Sequence, residues 1–480
     1  MSRSIALAAL FGQICLASFA ADKPNFVYFI IDELGYYELS HMGHPEMRTP
    51  NIDRLAAEGL RFTQCLAGSS VCAPTRCALL TGKHTGHATV RNNGGFDPLL
   101  PGEETIGSML KRAGYATGGF GKWGNGGRGT SGVPEEHGFD TFFGYYDQVH
   151  AHTFFPRYLI HNSQEVPLTG NTGNPQAGQT FSQYRIVEES KRFIRANQNR
   201  PFLAYLCWTP PHGRWGLPKN DASWAIYQDK PWGEDAKIYA AMVNMVDRQV
   251  GEIRELLREL GLAENTVIFF SGDNGGHEYF ASGDRPRGLF GPNVNPKTSV
   301  DFRGGKGNLY EGGLRVPFIV HWPGHVSAGK VTDHLAYFPD VMPTIAELAG
   351  AECPQDADGI SFVPELLGEA AAGRQQPVHK YLYWEIGKQI AVRMGQWKAY
   401  CPNAERSVWE LYDLSRDISE KEDIAAAHPE ILAQMRSHAV DAHRPMPQGV
   451  VHDRALVEKD RRYQDAAEKP KAKKKRVKQS

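Results

Sequence analysis

The chain has 480 residues, a formal net charge of −1, 41% apolar residues and 22% charged residues. That balance excludes a disordered or fibrous chain and gives no overall excess of positive charge for binding nucleic acid. The length suits one large α/β domain with an appendage.

Arg3 precedes a mostly apolar run from Ile5 to Ala17, and Ser18-Phe19-Ala20 before Ala21 offers a small-residue cleavage site. This pattern predicts a secretory signal peptide over 1–20 and a secreted or periplasmic mature chain. No later stretch reaches the ~20 apolar residues that a membrane span requires. Beyond Cys15, six cysteines remain: Cys65, Cys72, Cys77, Cys207, Cys353 and Cys401. Their spacing gives neither a disulfide framework nor a zinc motif. Lys469 to Ser480 holds seven basic residues and no acid. We read it as a solvated tail, since nothing before it resembles a nucleic-acid module.

In chain order, Asn25 to Ile31 is a nearly continuous apolar run of β-formers, as expected of a strand buried on both faces, and it ends at Asp32-Glu33. Thr49-Pro50 opens a helix that Gly59 ends, before a short strand at Leu60 to Phe62. Ile106 to Ala113 reads as a helix, and Ala116 to Gly121 leads into Lys122-Trp123-Gly124. Residues 128–180 read as a long irregular insertion rich in Gly, Pro, His and aromatics, including His150 and His152. Ser182 to Asn197 is an amphipathic helix, and the buried strand Pro201 to Trp208 ends near His212. Ala236 to Leu262 is a long helix, and the strand Thr266 to Phe270 ends near Asp273-Asn274. A Gly-rich segment around Lys306 leads to a strand at Phe318 to Trp322. From Lys380 on, short segments parted by turn residues predict an antiparallel sheet, followed by a helix at Pro429 to His443.

Three features carry chemistry. The stretch Cys72-Ala-Pro-Thr-Arg76-Cys77 places Pro74 where a helix begins, and a helix start presents free N–H groups to an anion. Asp32, Glu33, Asp273 and Asn274 are oxygen donors at strand ends, which favours a hard cation such as Ca²⁺ over zinc. Arg76, Lys122, His212 and Lys306 form a cationic set suited to a tetrahedral oxyanion.

The run Cys72-x-Pro74-x-Arg76-x-x-x-Leu80-Thr81-Gly82 resembles the signature of the formylglycine-dependent sulfatases. Matching segments accompany it in order: Asp32-Glu-Leu-Gly35, Thr49-Pro-Asn-Ile-Asp53, Gly121-Lys-Trp123, Pro210-Pro-His212, Ser271-Gly-Asp-Asn-Gly275 and Gly305-Lys-Gly-x-x-Tyr-Glu-Gly-Gly313. Arg393-Met-Gly-x-Trp-Lys398 and Glu410-Leu-Tyr-Asp-Leu414 extend the match.

The resemblance implies an α/β, alkaline-phosphatase-like fold: a large mixed, mostly parallel sheet flanked by helices, with a smaller C-terminal antiparallel sheet plus helix. It divides the chain into a signal peptide (1–20), a catalytic domain (21–375), a C-terminal subdomain (376–450) and an extended basic tail (451–480). It further implies that a maturation enzyme converts Cys72 to formylglycine. Asp32, Glu33, Asp273 and Asn274 would then bind Ca²⁺ with the formylglycine, Arg76 would hold the hydrated aldehyde, and Lys122 and Lys306 would contact sulfate. His212 would protonate the leaving alcohol.

The substrate implied is a small-molecule or oligosaccharide sulfate ester, with aryl sulfates as surrogates and no nucleic-acid partner. Two positions depart from the family pattern. Glu33 stands where a second aspartate is usual, and Gly124 where a histidine often follows Lys-Trp; His150 and His152 are the candidates for its role. His84, His87 and His277 read as structural. The rival readings are a phosphomonoesterase or phosphodiesterase of the same superfamily, which needs a histidine-rich two-zinc site, and a silent secreted binding protein, which would be expected to lose Cys72, Lys122 or Lys306.

Overall fold

The computed structural model describes residues 23–283 and 287–461, so the expected signal peptide and the Lys-rich run lie outside the described residues. Ten strands form one sheet: β1 (Asn25–Ile31), β2 (Leu60–Leu66), β3 (Ala116–Lys122), β4 (Thr141–Tyr145), β5 (Tyr158–His161), β6 (Gln164–Pro167), β7 (Phe202–Trp208), β8 (Thr266–Gly272), β9 (Phe318–His321) and β10 (Lys330–Tyr337). Their spatial order is β10-β2-β9-β8-β1-β7-β3-β4-β5-β6. β9 runs against β2 and β8, and β5 runs against β4 and β6; every other neighbouring pair is parallel.

β1 lies between β7 and β8, and all seven of its residues are buried. Because successive side chains point to opposite faces, its residues divide between two cores. Val27, Phe29 and Ile31 join the core covered by α1 (Pro50–Glu58). Phe26, Tyr28 and Ile30 join the core covered by α2 (Cys72–Thr81) and α3 (Ile106–Arg112). The first face also receives α4 (Ser182–Ala196), α5 (Ala222–Tyr227) and the 26-residue α6 (Glu234–Glu259). The apolar run Phe26–Ile31 is explained by this sandwiching, since neither face meets water.

Residues 128–180 are more ordered than their composition suggests. They contain β4, β5 and β6, which extend the sheet past β3. These strands are only four or five residues long, and β4 is interrupted by Gly144, so they carry no clear alternation. Gly144 takes φ +152°, and a Cβ there would lie 2.1 Å from Gly121 O. Close approach of β4 to β3 therefore needs glycine at this position.

A second sheet follows the order β11 (Leu382–Ile386), β12 (Gln389–Met394), β13 (Trp397–Cys401), β14 (Glu410–Asp413), antiparallel throughout, with the helix Pro429–Ala442 packed on it. Residues 454–461, read from sequence as the start of an extended tail, form a helix instead. Its buried Val457 and Asp460 face protein, and tertiary contacts supply the stability that a two-turn helix lacks in water. The six cysteines of the described residues are free.

The two sheets meet over buried charge. Lys398 Nζ lies 3.1 Å from Glu311 Oε1 and 2.9 Å from Glu420 Oε1, all three side chains being fully buried. Arg315 holds the other Glu311 oxygen at 2.6 Å. Removing one partner from such a set strands a buried charge. Lys398→Met is expected to lower stability by about 3–5 kcal/mol, measured by urea denaturation, whereas exposed Lys388→Met should leave the midpoint nearly unchanged.

Candidate functional site

The special residues converge at the carboxyl edge of the large sheet, where open α/β sheets place ligands. Asp32 and Glu33 follow β1, Lys122 ends β3, His212 follows β7, and Asp273 and Asn274 follow β8. Backbone pairing continues one residue past the strands, with Asp32 N donating to Trp208 O (3.0 Å) and Asp273 N to Ile31 O (3.1 Å). Glu33 then turns at φ +62°, and its N–H donates to Asp273 Oδ1 at 2.9 Å. That bond fixes the two acidic turns against each other.

Cys72 is the first residue of α2, a helix whose ten residues are all buried. Asn93 Oδ1 accepts from Ala73 N at 2.9 Å, and Thr75 Oγ1 accepts from Ser69 N at 2.9 Å. The first bond satisfies an N–H group that a helix start leaves open, and the second ties the preceding loop to the helix. The Cys72 thiol lies 3.3 Å from Asp32 Oδ1. One turn on, Arg76 donates to Lys122 O (2.8 Å) and Asp273 Oδ2 (2.9 Å). Lys122 Nζ donates to Asp32 Oδ2 at 2.6 Å.

On the opposite side, Glu33 receives His212 Nδ1 at 2.5 Å, Lys306 Nζ at 3.1 Å and Tyr279 OH at 2.6 Å. Lys306 Nζ is also 3.0 Å from His212 Nε2. The structure therefore brings together Asp32, Glu33, Cys72, Arg76, Lys122, His212, Asp273 and Lys306. Asn274 adjoins them through Asp273.

The charges within this set decide its protonation. Burial alone would raise the Asp32 carboxyl, but Lys122, His212, Arg76 and Lys306 outweigh it and hold the group well below the usual range. Burial also opposes ionisation of Glu33, and His212 and Lys306 again prevail. Burial and the Asp32 charge push Asp273 up to about 6. Burial disfavours charge on His212, yet Glu33 draws its pKa up to about 9. The imidazole is thus a stored acid at neutral pH.

The donor set fits a hard cation. Asn274 Nδ2 donates to Gly275 O at 3.0 Å, while its Oδ1 is buried and accepts no hydrogen bond. An orphaned amide oxygen beside Asp273 and Asp32 is a suitable ligand for calcium, which takes oxygen donors in flexible geometry.

The two histidine candidates separate. His152 stacks edge-on against His212 with ring centroids 4.4 Å apart, and its Nε2 is buried without a hydrogen-bond partner. His150 lies instead among Tyr145 and Tyr158, at 5.1 and 4.8 Å. Its buried position pushes its pKa down to about 4. His84 and His87 stack at 4.3 Å and share Asp358, while His277 packs on Tyr279.

Sequence reasoning missed two residues. Tyr279 lies only six positions beyond Asp273, but nothing in its loop marks it. Gln148 fills the room beside Gly124: a Cβ there would sit 2.1 Å from Gln148 Nε2 and 3.7 Å from Arg76 Cδ. The absent side chain at 124 was the available signal that another group occupies that space.

The family model described as Sulfatase matches residues 24–351, and one described as N-sulphoglucosamine sulphohydrolase, C-terminal, matches 305–444. N-acetylgalactosamine-6-sulfatase of Rattus norvegicus is 30% identical over 462 residues, covering 90% of this chain and 80% of that protein. Arylsulfatase A of Homo sapiens is 32% identical over 469 residues, covering 87% of each. Among solved structures, Ps i-CgsB in complex with k-i-k-neocarrahexaose superposes with TM-score 0.73 at 27% identity, covering 93% of this chain and 98% of that one.

The packing at position 124 has a measurable consequence. Gly124 takes φ +82°, so Gly124→Ala adds both torsional strain of ~1–2 kcal/mol and a collision with Gln148. A lower Tm is expected by scanning calorimetry. Adding Gln148→Ala should recover only part of the loss, because the torsional cost remains.

Proposed function

As a member of the sulfatase family the chain is a sulfuric ester hydrolase, and we propose that it removes sulfate from a sulfated carbohydrate through a formylglycine made from Cys72 and a calcium ion. The observation that carries this reading is the setting of Cys72. It opens a fully buried helix, touches Asp32 at 3.3 Å, and has Arg76 one turn away, held in place by Asp273 and the Lys122 carbonyl. A carbohydrate substrate is supported by the names of the rat relative and of the solved complex. Aryl sulfates serve as surrogates, and a maturation enzyme acts on the Cys72 segment of a chain destined for secretion or the periplasm.

Asp32, Asp273 and Asn274 would hold the calcium ion, with Glu33 as the fourth ligand. Bound there, calcium supplies positive charge to the sulfate oxygens, and the hydrated formylglycine supplies two hydroxyls on one carbon, one to attack sulfur and one to expel sulfate.

The encoded residues do the rest. Lys122 and Lys306 bind the sulfate charge, and Arg76 positions the residue at 72 from a guanidinium that cannot swing free. Glu33 fixes His212 through Nδ1, and Nε2, which faces Lys306 Nζ at 3.0 Å, would carry the proton given to the leaving alcohol. Buried charges facing one another keep these donors aligned before substrate arrives, so little reorganisation remains for the reaction.

The test is sulfate release, followed by ion chromatography, from a panel of sulfated mono- and disaccharides. Cys72→Ala is expected to lose activity on the order of a thousandfold or more. Chelation with EGTA should suppress the wild-type rate, and added Ca²⁺ should restore it. Mass spectrometry of tryptic peptide 62–76 should find an aldehyde in place of the thiol; full activity with an intact thiol would overturn the formylglycine reading.

A further inference from the structure

The helix Arg454–Arg461 lies beyond the residues matched by either family model, yet it is tied to the loops that wall the site. Its last residue, Arg461, donates from Nη1 to Asp147 Oδ2 at 2.8 Å, and the Asp147 side chain is only 3% exposed. The other Asp147 oxygen accepts from Val149 N at 2.7 Å. This single carboxylate therefore shapes the turn that carries Gln148 and His152. Gln148 occupies the space beside Gly124 and the Arg76 stem, and His152 leans on His212.

Arg461 also meets a second wall. A Cβ on Gly95 would lie 1.8 Å from Arg461 Nη1 and 3.1 Å from Asp147 Oδ2, so the guanidinium passes directly against the Gly95 backbone. Next to it, Phe96 carries both Arg454 (4.6 Å) and Arg461 (5.6 Å) over its ring. The same loop supplies Asn93, whose side chain accepts from Ala73 N beside Cys72. One guanidinium thus joins the loop that caps the Cys72 helix to the loop that reaches Gly124 and His212.

The helix itself is anchored independently of Arg461. Asp460 is fully buried and receives Arg128 at 3.0 and 2.6 Å and Tyr158 OH at 2.5 Å. The approach to the helix is pinned by Ser131 N donating to Val450 O (2.8 Å) and by His452 N and Asp453 N donating to Gly129 O (3.0 Å each). Arg461 can therefore be altered while the helix stays docked.

From these contacts we propose that Arg461 is a positioning residue for the active site, setting the Asp147–His152 turn and the Asn92–Asp97 loop at a fixed separation on either side of the Cys72 pocket. The catalytic part rests on the function proposed above; the structural part does not. A long-range ion pair with one buried partner and a close fit against glycine is suited to this task, because it fixes both distance and direction. Truncating the arginine leaves Asp147 without its cation and frees the turn to relax away from Gly124.

The test uses the full-length protein and two readouts. Hydrogen–deuterium exchange should show faster exchange in peptides spanning 92–97 and 147–152 of Arg461→Met, with the central strands β1, β7 and β8 unchanged. With an aryl sulfate, kcat of matured Arg461→Met should fall about five- to tenfold. Arg461→Lys should regain part of that rate, since its ammonium still pairs with Asp147. Lys459→Gln, on the same helix but with its exposed ammonium on Glu165 and over the Tyr158 ring, away from both loops, should match wild type in both readouts.

Unchanged exchange in both loops would overturn the proposal, as would a uniform loss of protection across the sheet, which would make Arg461 a general stability residue. Faster loop exchange with an unaltered rate would overturn the catalytic part. If the wild-type protein released no sulfate at all, the exchange result would still stand by itself and the failure would belong to the function.

Discussion

Three carboxylates lie buried at the ends of the adjacent strands β1 and β8, and the rest of the site is arranged to keep them charged. Asp32, Glu33 and Asp273 could not remain ionised there unaided, since an unpaired carboxylate out of water costs several kcal/mol. Four cationic side chains from four different segments answer them, each within ion-pair distance of at least one. The match is not a closed set of pairs. Asn274 keeps a bare oxygen, His212 keeps a proton, and the residue at 72 sits between the two groups. The bare amide oxygen and the buried carboxylates suit a hard cation, and the cationic side chains suit an oxyanion, as the proposed calcium-assisted hydrolysis requires.

The fold supplies the rigidity that such charge crowding requires. β1 is sandwiched by strands on both edges and by apolar cores on both faces, so the turn that follows it has little freedom to relax. α2 approaches from the second core, and its buried length, packed through Ala73, Cys77, Leu79 and Leu80, holds Cys72 at the sheet edge. Arg76 then reaches two strand ends at once. The smaller sheet contributes from further away: Lys398 binds Glu311, which opens the short helix just after the Lys306 loop. Charge pairing thus links the second sheet to the segment that delivers Lys306.

The two departures from the family pattern acquire different meanings. Glu33, longer than the usual aspartate, reaches His212, Lys306 and Tyr279 together, so the extra methylene connects the acidic cluster to His212. Gly124 is not a vacancy, because Gln148 fills its room from a separate loop. An uncharged amide in that place leaves His212 and its neighbour His152 as the imidazoles at the pocket.

The sequence by itself determined the buried strands, the acidic strand ends, the helix opened by Cys72 and the identity of the cationic set. Each is written in local runs whose periodicity, capping and residue type act over a few positions. It also determined the family, because ordered motifs survive as strings. Only the tertiary structure decided which distant groups meet: that His152 and not His150 reaches His212, that Gln148 occupies the space at Gly124, and that Tyr279 binds Glu33. It alone turned part of the irregular 128–180 segment into three strands and the start of the expected tail into a docked helix. In those places the stabilising partner lies far away in the chain. Arg461 is separated from Asp147 by 314 positions, and Asp460 from Arg128 by 332, distances over which no local pattern carries information.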